Sequence, residues 1–261
     1  MALQAILFDL DGVFYVGDRL IDGAVDTLRW CDDNAIPYLF ITNTTSRPPQ
    51  AIVDKLQGFG IATAVAHILS PPVAAVQWLR EQGLQRVALY VAAQTRTAFA
   101  EFQLVEAEAE AVEAVVVGDL GEGWRFEVLN RAFRQLMQAP SPVLIALGMT
   151  RYWRAPDGLR LDAGPYVTAL QYATGASPVV VGKPAPVFFQ AALHLLGVEA
   201  GATLMIGDDI KGDIGGAQAA GIKGLLVRTG KFQPSDLKSA IKPHAVVDSI
   251  ADLPTWWAAQ R

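Results

Sequence analysis

The feature that most constrains this chain is a series of short runs that are apolar throughout and stop on small, polar or acidic residues: 5–8, 38–41, 179–181, 204–206, 224–227 and 245–247. A strand buried on both faces loses the in-and-out alternation of a half-exposed one, so unbroken apolar runs of this length read as parallel strands. Between them, residues 24–31, 50–59, 187–196 and 213–220 carry apolar side chains at helical spacing. Strand and helix alternating in this way predict an α/β chain built on a Rossmann-like parallel sheet covered by helices.

Residues 84–177 interrupt the series with strand patterns of their own at 87–91, 114–117 and 143–146, and helix patterns at 126–137 and 166–174. With 261 residues, 52% of them hydrophobic, the chain is long enough for two cores. The predicted division is a core of residues 1–83 and 178–261 with an inserted α/β domain, 84–177. The Glu- and Ala-rich run 106–113 reads as a solvated helix or loop.

A net charge of −5, with Lys and Arg scattered rather than striped, argues against nucleic acid as a partner. The single cysteine, Cys31, has no internal disulfide partner and fits a reducing, cytoplasmic setting. The first residues lack a basic leader, and no apolar stretch reaches the ~18–20 residues that span a bilayer. His67, His194 and His244 are isolated and no Gly-x-Ser-x-Gly elbow occurs, which argues against a serine hydrolase. Residues 224–231 have a superficial likeness to a P-loop, but the spacing is one residue too long and Phe232 stands where Ser or Thr must bind the metal.

Four strand ends carry the polar residues. The first run leads into Asp9-Leu10-Asp11-Gly12, two carboxylates at the edge where open α/β sheets bind ligands, although Asp-Gly also suits a plain turn. The run at 204–206 leads into Gly207-Asp208-Asp209, with Asp213 four residues on. Two acidic strand ends would repel unless a cation lies between them, and an oxygen-only ligand set favours Mg²⁺. Asp213 would equally suit a helix N-cap and Asp209 a solvated loop charge. Lys183, after the third strand end, offers an ammonium to neutralise a nucleophile and a phosphoryl group. Thr42, Asn43 and Thr44 supply short donors before a helix, which serves capping as well as anion binding. Arg47 follows that loop and reads either as a contact to an anionic substrate or as an exposed helix-start cation.

Taken together these groups supply what phosphoryl transfer needs: a nucleophile (Asp9), a proton donor and acceptor (Asp11), and charge neutralisation by Lys183 and Mg²⁺. A phosphotransferase or phosphomutase on the same scaffold is the nearest alternative; a non-catalytic ligand-binding protein is the other.

The four motifs in this order resemble the haloacid dehalogenase-like (HAD) superfamily of phosphohydrolases. The resemblance implies Asp9 as nucleophile, Asp11 as acid/base whose main-chain carbonyl also binds magnesium, and Thr42 as the phosphate-binding hydroxyl with Asn43 after it. It further implies Lys183 as the stabilising base and Asp208 as the remaining metal ligand, with Asp209 and Asp213 ligating the metal or its waters. An insertion between the second and third motifs is similar to the C2-type cap of subfamily IIA, the NagD-like and 4-nitrophenylphosphatase-like enzymes. The runs Arg151-Tyr152-Trp153, 161–166, 180–184, 205–210 and 227–232 carry the likeness further along the chain. It implies a small phosphorylated metabolite, pyrophosphate or a phosphoramidate as substrate and a homodimer through the cap; Arg151, Tyr152 and Asp162 are candidate cap contacts, while Tyr152 and Trp153 read more readily as packing or dimer-surface residues.

Overall fold

The computed structural model describes residues 2–108, 110–155 and 157–260; residues 1, 109, 156 and 261 lie outside it, including one position of the 106–113 run. Among the described residues the chain forms two compact units. The first takes in the chain up to Thr42, Pro49–Leu69 and everything from Lys183 on; the second is Asn43–Pro48 with Ser70–Gly182.

The first unit holds a six-stranded, all-parallel sheet in the order Ala245–Val247, Lys223–Val227, Thr203–Gly207, Ala5–Phe8, Tyr38–Ile41, Ile68–Leu69. Ala5–Phe8 lies at the centre and is buried throughout, as its unbroken apolar run requires. Phe8, Phe14 and Phe40 are fully buried and meet in edge-on and tilted pairs, with Phe14 5.2 Å from both of the others. The Ala24–Asp33 helix buries Ala24, Thr27, Leu28 and Cys31, one face at i, i+3, i+4 and i+7 spacing. Ile68–Leu69, at two residues, is too short to stand out as a run in the sequence.

The second unit is a five-stranded parallel sheet in the order Val179–Val180, Val143–Ala146, Ala114–Val117, Arg86–Tyr90, Gln103–Leu104, with the helices Pro71–Gln82, Phe126–Leu136 and Ala163–Thr174. Residues 179–181, read from the sequence as a strand of the first sheet, instead extend the second: Val179 pairs with Ile145 and Val180 with Ala146. A buried apolar run looks the same in either sheet; only the partner strand decides. The Pro71–Gln82 helix, upstream of the expected limit at 84, groups with this unit, where Arg80 pairs with Glu101. The antiparallel hairpin Tyr152–Ala155/Gly158–Leu161 stands apart from the main sheet. No helix of the described residues is long and apolar enough to cross a membrane.

Candidate active site

The carboxyl edge of the first sheet is built by ladder continuation. Phe8 pairs with Ile206, and one residue on, the Asp9 N–H donates to the Ile206 carbonyl at 2.9 Å. That bond sets Asp9 beside Gly207, so the two acidic strand ends leave the sheet side by side. The turn after Asp9 is fixed by its apolar members: Leu10, Val13 and Phe14 are buried, Phe14 N–H donates to the Leu10 carbonyl, and Gly12 N–H to that of Tyr15. Asp11, between them, is exposed.

Lys183 closes the site. Its side chain is 5% exposed, and its Nζ lies 2.7 Å from Asp9 Oδ1 and 2.7 Å from Asp213 Oδ1. It also donates to the Ile41 carbonyl at 3.5 Å, which puts the buried Thr42 next in chain to the same ammonium. Asp213 takes a second bond at Oδ2 from the Asp209 N–H, 3.1 Å. Asp208 accepts the Lys231 N–H at Oδ2, 2.6 Å, while its Oδ1 is buried and accepts no hydrogen bond. Single oxygens of Asp9, Asp208 and Asp213 lie within 4.8 Å of one another, a group able to hold a metal ion.

Burial dominates the electrostatics. It pushes the Asp9 carboxyl above its ordinary value, opposed by the Lys183 ammonium and reinforced by Asp208. It raises Asp208 and Asp213 too, each to about 6, opposed by the Lys231 N–H at Asp208 and by Lys183 at Asp213. Burial alone would lower the lysine, but Asp213 and Asp9 outweigh it and hold the ammonium charged. Three carboxylates facing one ammonium leave an excess of negative charge, and a buried carboxylate oxygen without a donor is what a hard cation would satisfy. The donor set therefore fits a divalent, oxygen-preferring ion.

Asp11 and Asp209 stand outside the three-carboxylate group. Asp209 caps the π-type turn Ile210–Gly215 that leads into Gly216–Ala219, its Oδ1 accepting from Lys211 N–H at 2.9 Å and Gly212 N–H at 2.8 Å. The helix read from residue 213 thus starts three residues earlier, and the N-cap is Asp209 rather than Asp213. Asn43, Thr44 and Arg47 belong to the second unit, Asn43 and Arg47 exposed and Thr44 half-buried. Arg151 is exposed in that unit, and Asp162 caps the Ala163–Thr174 helix through the Ala163 N–H. The sequence reading missed Thr229 and the main chain of Gly230 and Lys231. The available signal was positional, since they follow an apolar strand just as Asp9 does.

A family model described as haloacid dehalogenase-like hydrolase matches residues 6–104, and one described as HAD-hydrolase-like matches residues 180–253. The chain is similar to the Homo sapiens phospholysine phosphohistidine inorganic pyrophosphate phosphatase, 39% identical over 255 residues, covering 96% of this chain and 92% of that protein. It is similar to the Bos taurus haloacid dehalogenase-like hydrolase domain-containing protein 2, 38% identical over 235 residues, 90% of this chain and 88% of that one. Among solved structures, the p-nitrophenyl phosphatase from Archaeoglobus fulgidus superposes with a TM-score of 0.88 at 26% identity, covering 98% of this chain and 100% of that chain.

Proposed function

The chain belongs to the haloacid dehalogenase-like hydrolases and is a phosphatase of that family, and from that premise we propose that Asp9 is its nucleophile, Mg²⁺ its metal, and pyrophosphate and P–N bonded phosphoryl groups its substrates. The observation that carries the reading is the buried cluster of Asp9, Asp208 and Asp213, with Lys183 paired to Asp9 and Asp213 and one Asp208 oxygen left for a cation. The substrate class follows the activity named for the human relative.

In the first step the Asp9 carboxylate attacks phosphorus, a P–OAsp bond forms as the bond to the leaving oxygen or nitrogen breaks, and Asp11 gives the departing atom a proton. In the second, water attacks the aspartyl phosphate, Asp11 takes the water's proton, and phosphate leaves with Asp9 regenerated. Lys183, held charged by its two aspartates, keeps Asp9 oriented and offsets charge on the phosphoryl oxygens. Thr42 donates to those oxygens from the adjoining strand end. Mg²⁺, held by Asp9, Asp208, the Asp11 main-chain carbonyl and the Asp213 position, would neutralise the acidic cluster and the transferring group. Asp209 shapes the turn that presents Asp213. The substrate roles expected of Asn43, Thr44, Arg47 and Arg151 rest on the resemblance.

The same proposal places the protein in a reducing, cytoplasmic setting, supported by its one buried thiol, Cys31. It also includes a homodimer through the second unit, supported by the hairpin that leaves Tyr152, Leu159 and Leu161 more than half exposed.

The test is phosphate release from pyrophosphate, phospholysine, phosphohistidine and a panel of phosphate monoesters, with and without Mg²⁺, for the wild type and Asp9→Asn. Release that needs both Mg²⁺ and Asp9 supports the reading. Transfer of the phosphoryl group to an acceptor other than water would replace it with a phosphotransferase, and activity that survives Asp9→Asn would refute the nucleophile.

A further inference from the structure

Lys223–Val227 runs parallel to Thr203–Gly207, with Leu226 opposite Gly207, so its continuation, Arg228-Thr229-Gly230-Lys231, leaves the sheet next to Asp208. Three contacts tie that turn to the site. Thr229 Oγ1 donates to the Gly12 carbonyl. The Lys231 N–H donates to Asp208 Oδ2. Gly230 lies against both Gly12 and Asp208: a Cβ there would overlap Asp208 Oδ2 and crowd the Gly12 Cα, and a Cβ on Gly12 would overlap the same carboxylate. Gly12 and Gly230 both have left-handed φ, +91° and +63°, so the approach uses positions that side chains are excluded from twice over.

One oxygen of Asp208 is therefore pinned by a main-chain donor and the other is left buried and unbonded. The main chain that follows Asp11 is hooked by a hydroxyl from the same turn. We infer that the Thr229–Gly230–Lys231 turn is a positioning element for the metal. It fixes the rotation of Asp208 so that Oδ1 faces the cation, and it holds the Asp11–Gly12 main chain at a set distance from that oxygen. The inference deepens the Mg²⁺ reading above and rests on it. Groups that orient a ligand in this way typically contribute 10–100-fold in metal affinity.

The experiment is isothermal titration of Mg²⁺ into the metal-free, full-length protein, with thermal unfolding in EDTA beside it. Thr229→Val keeps the shape and deletes the donor; Thr229→Ser keeps the donor. The expected result is Mg²⁺ affinity at least about tenfold weaker in Thr229→Val, restored in Thr229→Ser, and lost further in Gly230→Ala. A turn that served only packing would lower the EDTA melting temperature and leave the affinity of the folded protein where it was. Wild-type affinity in Thr229→Val overturns the inference, as does a folded Thr229→Ser that binds as weakly as Thr229→Val. If the valine variant does not fold, wild-type affinity in Gly230→Ala overturns it. A wild type that binds no Mg²⁺ overturns the metal reading and this inference together; wild-type binding with unchanged variants removes the inference alone.

Discussion

The two units repeat one architecture, a parallel sheet of short strands, buried at its centre, with helices packed on it, and differ in what stands at the strand ends. In the first, Ala5–Phe8 and Thr203–Gly207 are followed by Asp9 and Asp208. In the second, Arg86–Tyr90 and Val143–Ala146 are followed by Val91 and Leu147, both buried. Buried polar chemistry in the second unit points inward and away from the strand ends: Tyr90 OH donates to Gln135 Oε1 at 2.7 Å and accepts from Arg131 Nε at 3.3 Å. The same sheet thus yields a reactive edge or an inert one according to a handful of residues past the strands, which is why fold alone is a poor guide to chemistry.

That contrast can be broken by substitution. Asp9→Asn should lower turnover by roughly a thousandfold or more, as losing a covalent nucleophile does, with an unchanged circular dichroism spectrum; a small loss would mean that the acidic edge is not the reactive one. Lys183→Met removes the cation from a buried cluster and should destabilise the metal-free protein by roughly 3 kcal/mol at pH 8, measured by urea unfolding. The loss should shrink toward pH 5, where the freed carboxyls can take protons.

A titration sharpens the comparison. Asp208 holds its proton to about pH 6, and a carboxylate that holds a metal must be deprotonated, so Mg²⁺ affinity should fall by at least about tenfold between pH 7 and pH 5. In the metal-free protein the sign is set by linkage. The unfolded chain gives up this proton near pH 4, so between about 4 and 6 the folded state binds more protons and stability declines as the pH rises. The smallest effect belongs to the second unit: Tyr90→Phe should cost about 1 kcal/mol, read as a lower urea midpoint, with turnover retained.

How far the sequence reaches follows the same division. The central strands are legible because a short, unbroken apolar run fits little besides a strand buried on both faces, and Asp9, Asp208 and Lys183 are legible because each stands at or just past the end of such a run. Val179–Val180 reads into the wrong sheet because strand pairing is a non-local choice that composition does not encode. Asp209 and Asp213 are interchangeable on paper; a wide turn that begins at Ile210 makes one a cap and buries the other against Lys183. Thr229, Gly230 and Lys231 read as a failed P-loop and as part of a run that carries the family likeness, with no role at the site, since two of their contacts use main-chain atoms that no residue type announces.

The pairing of Ala5 with Thr203 also bears on how the protein is made. At about 5–20 residues per second, the strand that bears Asp9 leaves the ribosome roughly 10–40 s before the strand it must lie against. The second unit, continuous from Ser70 to Gly182 apart from one short loop, is fully synthesised before that partner exists. A central apolar strand waiting that long with one edge open is the segment of this chain most in need of a chaperone's cover.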